Sequence, residues 1–173
     1  QEEVGYTEEK GRKVFKPDGT YQKIAAVERH KNTGKIGVGI VKGFGLRGGA
    51  IASSVSHDSH NLIVIGDNDH DMYLAVQELL RTQGGYTLVE NGQVFDTLPL
   101  PIMGLMSDAG YEKVNEKLAR MISKAHEMGI PEGFDPFITL SFMALPVIPE
   151  IRITPRGVYL TQEDRMIQSP FDR

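Results

Sequence analysis

The 173-residue sequence predicts an α+β fold: a mixed, mostly antiparallel sheet of about six or more strands with helices packed on one face. Three observations carry that prediction. Short apolar runs separated by turn residues fill the first third of the chain, two later segments repeat apolar residues at helical spacing, and hairpin signatures lie between and after them. The length suits a single domain of roughly 100–200 residues. With 40% hydrophobic and 24% charged residues, the chain has ordinary globular composition.

Residues 1–20, QEEVGYTEEKGRKVFKPDGT, mix charge with scattered apolar positions. They read as a lead-in or linker, or as a short edge hairpin turning at Pro17-Asp18-Gly19. The domain proper spans 21–165, with a tail over 166–173. Ile24, Ala26 and Val27 mark a strand, Asn32-Thr33-Gly34 supplies a turn, and Ile36, Val38 and Ile40 alternate along a second strand. Seven glycines fall between Gly34 and Gly49, a density that marks bulges or the close approach of a backbone or ligand. Neither a GxxxxGK[ST] loop nor GxGxxG opening a helix is present, which disfavours a nucleotide-phosphate site.

Ala50–Ala52 and Leu62–Ile65 read as two more strands, the second apolar enough to be central. Asp67, Asn68 or Asp69 caps a helix carrying Met72, Ala75, Val76, Leu79 and Leu80, which Gly84-Gly85 ends. Asn91-Gly92 between Tyr86–Glu90 and Gln93–Thr97 fits a type I′ hairpin. After the connector LPLPIMGLMSD, Ser107 or Asp108 caps a second helix with Tyr111, Val114, Leu118, Met121, Ile122 and Ala125 on one face. Pro136 to Pro146 is apolar without a clear period, so helix and strand stay undecided there. Ile151–Thr154 and Val158–Leu160 form a final hairpin.

Composition excludes several function classes. With no cysteine, the chain has no disulfide framework, thiolate zinc site or cysteine nucleophile. A net charge of −4 argues against nucleic acid as the main partner. No apolar run approaches the roughly 18–20 residues that cross a bilayer, so no membrane partner is expected. The chain starts at Gln1 without an initiator Met, which suggests a processed product or a piece of something longer.

The polar, titratable residues concentrate in one place, His57, Asp58, Ser59, His60 and Asn61, between two apolar strands. Imidazoles at i and i+3 with a carboxylate between them suit metal ligation, base chemistry, or contact with a substrate or partner. A strand-connecting loop satisfying its own backbone accounts for the same residues. If the segment is extended, His57 and Ser59 share one face, and Asp58 and His60 the other. Asp67, Asp69, His70 and Asp71 lack calcium-loop spacing and read as helix capping. Glu28-Arg29-His30 reads as a solvated turn, although Arg suits an acid partner. The seven methionines read as core filler. No nucleophile elbow, HExxH or Ser-x-x-Lys signature occurs, so residue chemistry alone yields no complete catalytic site.

Three blocks in order, VKGFGLRGGAIASSVSHDSHNLIVIGDNDHDM, LPLPIMGLMSD and PFITLSFMALPVIPEIRITPRG, resemble the C-terminal domain of bacterial adenine deaminase, of the amidohydrolase superfamily. The resemblance runs from about Tyr21 to about Leu160. It implies a role in converting adenine and water to hypoxanthine and ammonia, in cytoplasmic purine salvage and adenine catabolism. The family's dinuclear divalent metal site, with manganese among the candidate ions, belongs to an N-terminal barrel whose HxH motif this chain lacks. The resemblance therefore implies no catalytic and no metal-binding residue here, and an isolated chain without deaminase activity. It implies a partner barrel of the same enzyme, adenine as the parent's substrate and a homo-oligomer. His57, Asp58, Ser59, His60 and Asn61 become candidates for the substrate pocket or the interdomain contact. A free-standing, non-catalytic binding or oligomerisation module is the alternative.

Overall fold

The computed structural model describes residues 4–167. Its centre is a six-stranded sheet in the order β4-β3-β6-β5-β7-β8, with every neighbouring pair antiparallel. These strands are β3 (Tyr21–Val27), β4 (Ile36–Lys42), β5 (Gly49–Ser53), β6 (Leu62–Gly66), β7 (Gly85–Glu90) and β8 (Gln93–Pro99). Every residue of β5 and β6 is buried, which explains their unbroken apolar runs.

The pleat sends alternate side chains to opposite faces, and both faces are covered. Ala25, Ala50, Ala52, Leu62, Val64 and Val89 meet Met72, Ala75 and Leu79 of α1 (Asp69–Arg81). Ile24, Ile51, Ile63, Ile65 and Leu88 meet Met121 and Ala125 of α2 (Tyr111–Glu127) and Phe137 and Leu140 of α3 (Pro136–Phe142). The α+β class and the antiparallel sheet stand. The helices, however, divide between two faces rather than sharing one, because the central strands are apolar on both.

Local chemistry sets the helix ends. Asn68 caps α1 by accepting from the Asp71 amide at 2.8 Å, and the buried Asp71 carboxylate accepts from the Gly92 amide of the β7–β8 turn. That turn has the expected form, with positive φ at Asn91 and Gly92. Asp135 caps α3 through the amides of Phe137 and Ile138, with Pro136 in the first turn, so the undecided segment is a short helix. α2 starts later than its expected caps. Gly110 precedes it without a side-chain cap, while Ser107 accepts from Ala109 in the loop before it. Along its predicted face Met121 and Ala125 are buried, whereas Tyr111 is 72% exposed. Asp96 of β8 anchors α2 by pairing with Lys117 and Arg120. Burial pushes the Asp96 carboxyl up, but hydrogen bonds from Arg120 and Lys117 outweigh it and leave its pKa lowered.

Two small sheets flank this core. β1 (Thr7–Glu9) and β2 (Arg12–Val14) form a hairpin that turns at Lys10-Gly11, where both residues have positive φ, and not at Pro17-Asp18-Gly19. Strands β9 (Ile151–Thr154), β10 (Gly157–Leu160) and β11 (Arg165–Ile167) form the second sheet, in the order β11-β10-β9. Met166 and Ile167 of the expected tail thus belong to a strand, while 168–173 lie outside the described residues. Met72, Met121 and Met128 fill core space as expected, but Met103 and Met106 are 74% and 53% exposed.

The glycine-rich stretch is explained by this chain's own backbone. A Cβ on Gly37 would lie 1.9 Å from the Thr154 carbonyl oxygen and 2.6 Å from the Gly157 nitrogen, so β4 and the β9–β10 hairpin meet there without room for a methyl group. Gly37→Ala is expected to cost about 1–3 kcal/mol, the usual range for overpacking. Denaturant unfolding measures the loss, and faster hydrogen exchange at Ile153 and Val158 locates it. Unchanged stability and exchange would show that this contact does not hold the two sheets together.

Candidate functional site

The connection between β5 and β6 leaves a largely apolar core, and it gathers its polar residues just beyond the end of the sheet. It is a compact turn, not an extended segment, so the two-face division of SHDSHN does not hold. His60 has φ near 49° and donates its amide to the Ser56 carbonyl at 2.7 Å. The Ser56 amide points back to His60 Nδ1 at 3.4 Å, which makes Nδ1 an acceptor and puts the neutral ring's proton on Nε2. His57 donates its amide to Ser141 of α3 and stacks its ring on Phe142 at 5.1 Å between centroids. Asp58 and Ser59 are exposed, His57, His60 and Asn61 half-buried.

Neighbouring loops hold this turn. Asn61 accepts from the Arg29 amide through Oδ1 and donates from Nδ2 to Ser59 Oγ. His30 Nε2 lies 2.7 Å from the Ser59 carbonyl. Glu28 closes its own loop by accepting from Thr33, Lys31 and His30, and the Thr33 amide leads the hydrogen bonds that hold its pKa at about 2. Arg29 is not a freely solvated turn residue. Its guanidinium is half-buried, donates to the Met103 carbonyl at 2.6 Å, and has its pKa lowered by burial. Ser54 grips the same loop, donating to the Gly104 carbonyl at 2.6 Å while accepting from the Gly85 amide.

The result is a polar turn beside exposed apolar side chains: Ile102, Met103 and Met106 on one loop and Phe142 at the end of α3. Arg29, Met103 and Phe142 escaped the sequence reading because they lie far from SHDSHN along the chain. Their only signal was an arginine next to a strand end and a methionine in a proline-rich connector. The Asp67 group serves structure, with the Asp67 carboxylate accepting from the Gly48 and Gly49 amides.

Chemically, the turn offers donors and acceptors but no assembled reaction centre. The His57 and His60 rings stand 6.3 Å apart, and among the described residues no three histidine or carboxylate side chains converge on a metal position. Such a donor set does not fit a dinuclear metal. The Ser56 hydroxyl is buried without a hydrogen-bond partner, so no base activates it.

Comparison with known proteins supplies the context. Residues 1–165 match the family described as adenine deaminase C-terminal domain. The chain belongs to that family. It is 58% identical over 154 residues to an adenine deaminase of Desulfitobacterium hafniense, covering 89% of this chain and 27% of that protein. An adenine deaminase of Nitratidesulfovibrio vulgaris is 55% identical over 146 residues, covering 84% and 25%. One of Bacillus subtilis is 49% identical over 147 residues, covering 84% and 26%. This adenine deaminase C-terminal domain thus spans about a quarter of the length of the curated relatives it matches.

Within the domain, burial lowers the His60 pKa first, and the neighbouring His57 and Arg29 lower it further. The folded state therefore binds this proton less readily than the unfolded chain, so His60 makes stability rise with pH up to about 6.5. NMR titration should find His60 below its ordinary value, and His57→Gln should move it only part of the way back, because burial remains. A fully restored pKa in His57→Gln would assign the shift to the histidine pair instead.

Proposed function

We propose that this chain is the C-terminal domain of an adenine deaminase, which converts adenine and water to hypoxanthine and ammonia. In this reading it completes or supports the active site of a metal-binding barrel supplied by the rest of the polypeptide. The observation that carries the reading is the SHDSHN turn, held by three neighbouring segments beside an exposed apolar rim, in a chain covering a quarter of relatives named adenine deaminase. Active sites form readily in clefts between domains.

Adenine is neutral and presents ring-nitrogen acceptors next to an amino donor. A neutral His60, with the hydroxyl of Ser59 and the amide of Asn61, matches that pattern without burying a net charge. His57 and Asp58 either extend the contact or hold barrel residues in place. Because this chain's residues do not fit the family's metal pair, water activation belongs to the barrel. No described helix is long and apolar enough to cross a membrane, and the reading places the enzyme in the cytoplasm, in purine salvage, as an amidohydrolase working as a homo-oligomer.

The exposed Ile102, Met103 and Met106 favour a second reading, in which the domain serves mainly as an assembly module, between subunits or for the barrel. Kinetics separates the two. In the full-length enzyme, His57→Ala and His60→Ala should each lower kcat/KM for adenine by about 10- to 100-fold, equivalent to roughly 1.4–2.7 kcal/mol. Unchanged kcat/KM in both variants would leave the assembly reading. The 173-residue chain alone should release no ammonia from adenine, with or without added Mn²⁺. Metal-dependent turnover by the purified chain would place a complete site within it.

A further inference from the structure

Far from SHDSHN along the chain, a cavity of about 280 Å³ lies between β3–β4 and the β9–β10 hairpin. Its wall is mostly apolar, with Ile24, Val41, Met143, Ile153 and Val158 among its residues, and Arg152 is its one charged side chain. The guanidinium donates from Nη1 to the Ile151 carbonyl at 2.6 Å and from Nη2 to the Pro149 carbonyl. Its Nε is buried and donates to nothing. Burial alone lowers the Arg152 pKa, and among the described residues no carboxylate pairs with it.

Two backbone carbonyls orient a guanidinium but do not neutralise it. A half-buried, uncompensated cation is costly, and so is a donor left without an acceptor. Apart from the enclosed Nε, one N–H remains on each of Nη1 and Nη2, and paired guanidinium donors match a carboxylate through parallel hydrogen bonds. We propose that this cavity binds a small carboxylate with an apolar body, its charge on Arg152 and its chain against Ile153 and Val158. Such a ligand neutralises the cation through its remaining terminal N–H groups and fills the space. A dianionic phosphate would leave excess charge against an apolar wall. The volume lies just under the roughly 300–1,000 Å³ of drug-sized pockets, so the occupant is small.

The test uses hexanoate as the probe, with hexanol and acetate as controls for charge and chain, read by methyl NMR of the 173-residue chain. Hexanoate should bind with a Kd on the order of 1 mM, perturbing the methyl groups of Ile24, Ile153 and Val158. Hexanol and acetate should each bind at least about 10-fold more weakly, and Arg152→Leu should weaken hexanoate by a similar factor. No perturbation of these methyls, or equal binding of hexanol and hexanoate, would overturn the proposal. That comparison uses the unaltered chain and stands even if Arg152→Leu fails to fold. Titrating a full-length adenine deaminase then distinguishes the source, a step that rests on the proposed parent enzyme. A retained response means a free carboxylate, and a lost response means an Asp or Glu from the remaining polypeptide already fills the site. Because the binding arm requires no turnover, its failure is separable from failure of the deaminase reading.

Discussion

The double burial of β5 and β6 is the constraint on which the rest of the molecule depends. Both strands lie at the centre of the sheet with every residue buried, so neither face offers water as a fallback partner for a polar side chain. The two faces are filled differently. Ala25, Ala50 and Ala52 let α1 approach closely, while Ile51, Ile63, Ile65 and Leu88 fill the thicker layer beneath α2 and α3. Because space is so closely filled, a volume change on one face is felt by neighbours that also define the ends of the sheet.

That constraint also explains where the polar residues gather. Apart from Ser53, which bonds the Val55 carbonyl at the end of β5, the strand pair is apolar or glycine, and its polar side chains fall in the connection that contains SHDSHN. The surrounding segments then turn a flexible loop into a fixed one. Arg29 ties the β3–β4 turn to Asn61 and to Met103, Ser54 ties the same connector to the sheet, and Ser141 ties α3 to His57. Each bond uses a backbone group on at least one side, so position is set more tightly than side-chain identity alone would set it. Burial, and then the neighbouring His57 and Arg29, lower the His60 pKa, while Asp58 opposes the shift.

Much of the fold was legible because its signals are local. Asn91-Gly92 specifies its own turn, the Ile36-Val38-Ile40 alternation its own strand, and Asn68 followed by apolar residues at helical spacing its own helix. What escaped depends on distant contacts. The division of helices between two faces requires knowing which strands are central, and α2 begins after Gly110 although nearby Ser107 is a better cap. The lead-in hairpin turns at Lys10-Gly11 because its strands pair there, while Pro17-Asp18-Gly19 only has turn composition. For the site, SHDSHN was visible as a polar island, but Arg29 looked like any arginine at a turn. Its burial is created by a connector some 74 residues away along the chain.

Hydrogen-bond accounting separates what this fold completes for itself from what it leaves for others. Among the described residues, two buried side-chain atoms lack a partner, Ser56 Oγ and Arg152 Nε. Buried donors without acceptors are rare in folded proteins because each costs roughly 1–3 kcal/mol. Ser56 opens the SHDSHN turn, and Arg152 lines the apolar cavity between the sheets. A folding error would leave such atoms anywhere in the core, yet the layers around α1 and α2 contain none. Both orphans instead lie where the chain already presents something unfinished: a polar turn with an exposed rim in one case, an uncompensated cation in the other. Neither atom reaches solvent, so each unmade hydrogen bond is a cost that the surrounding packing has to offset.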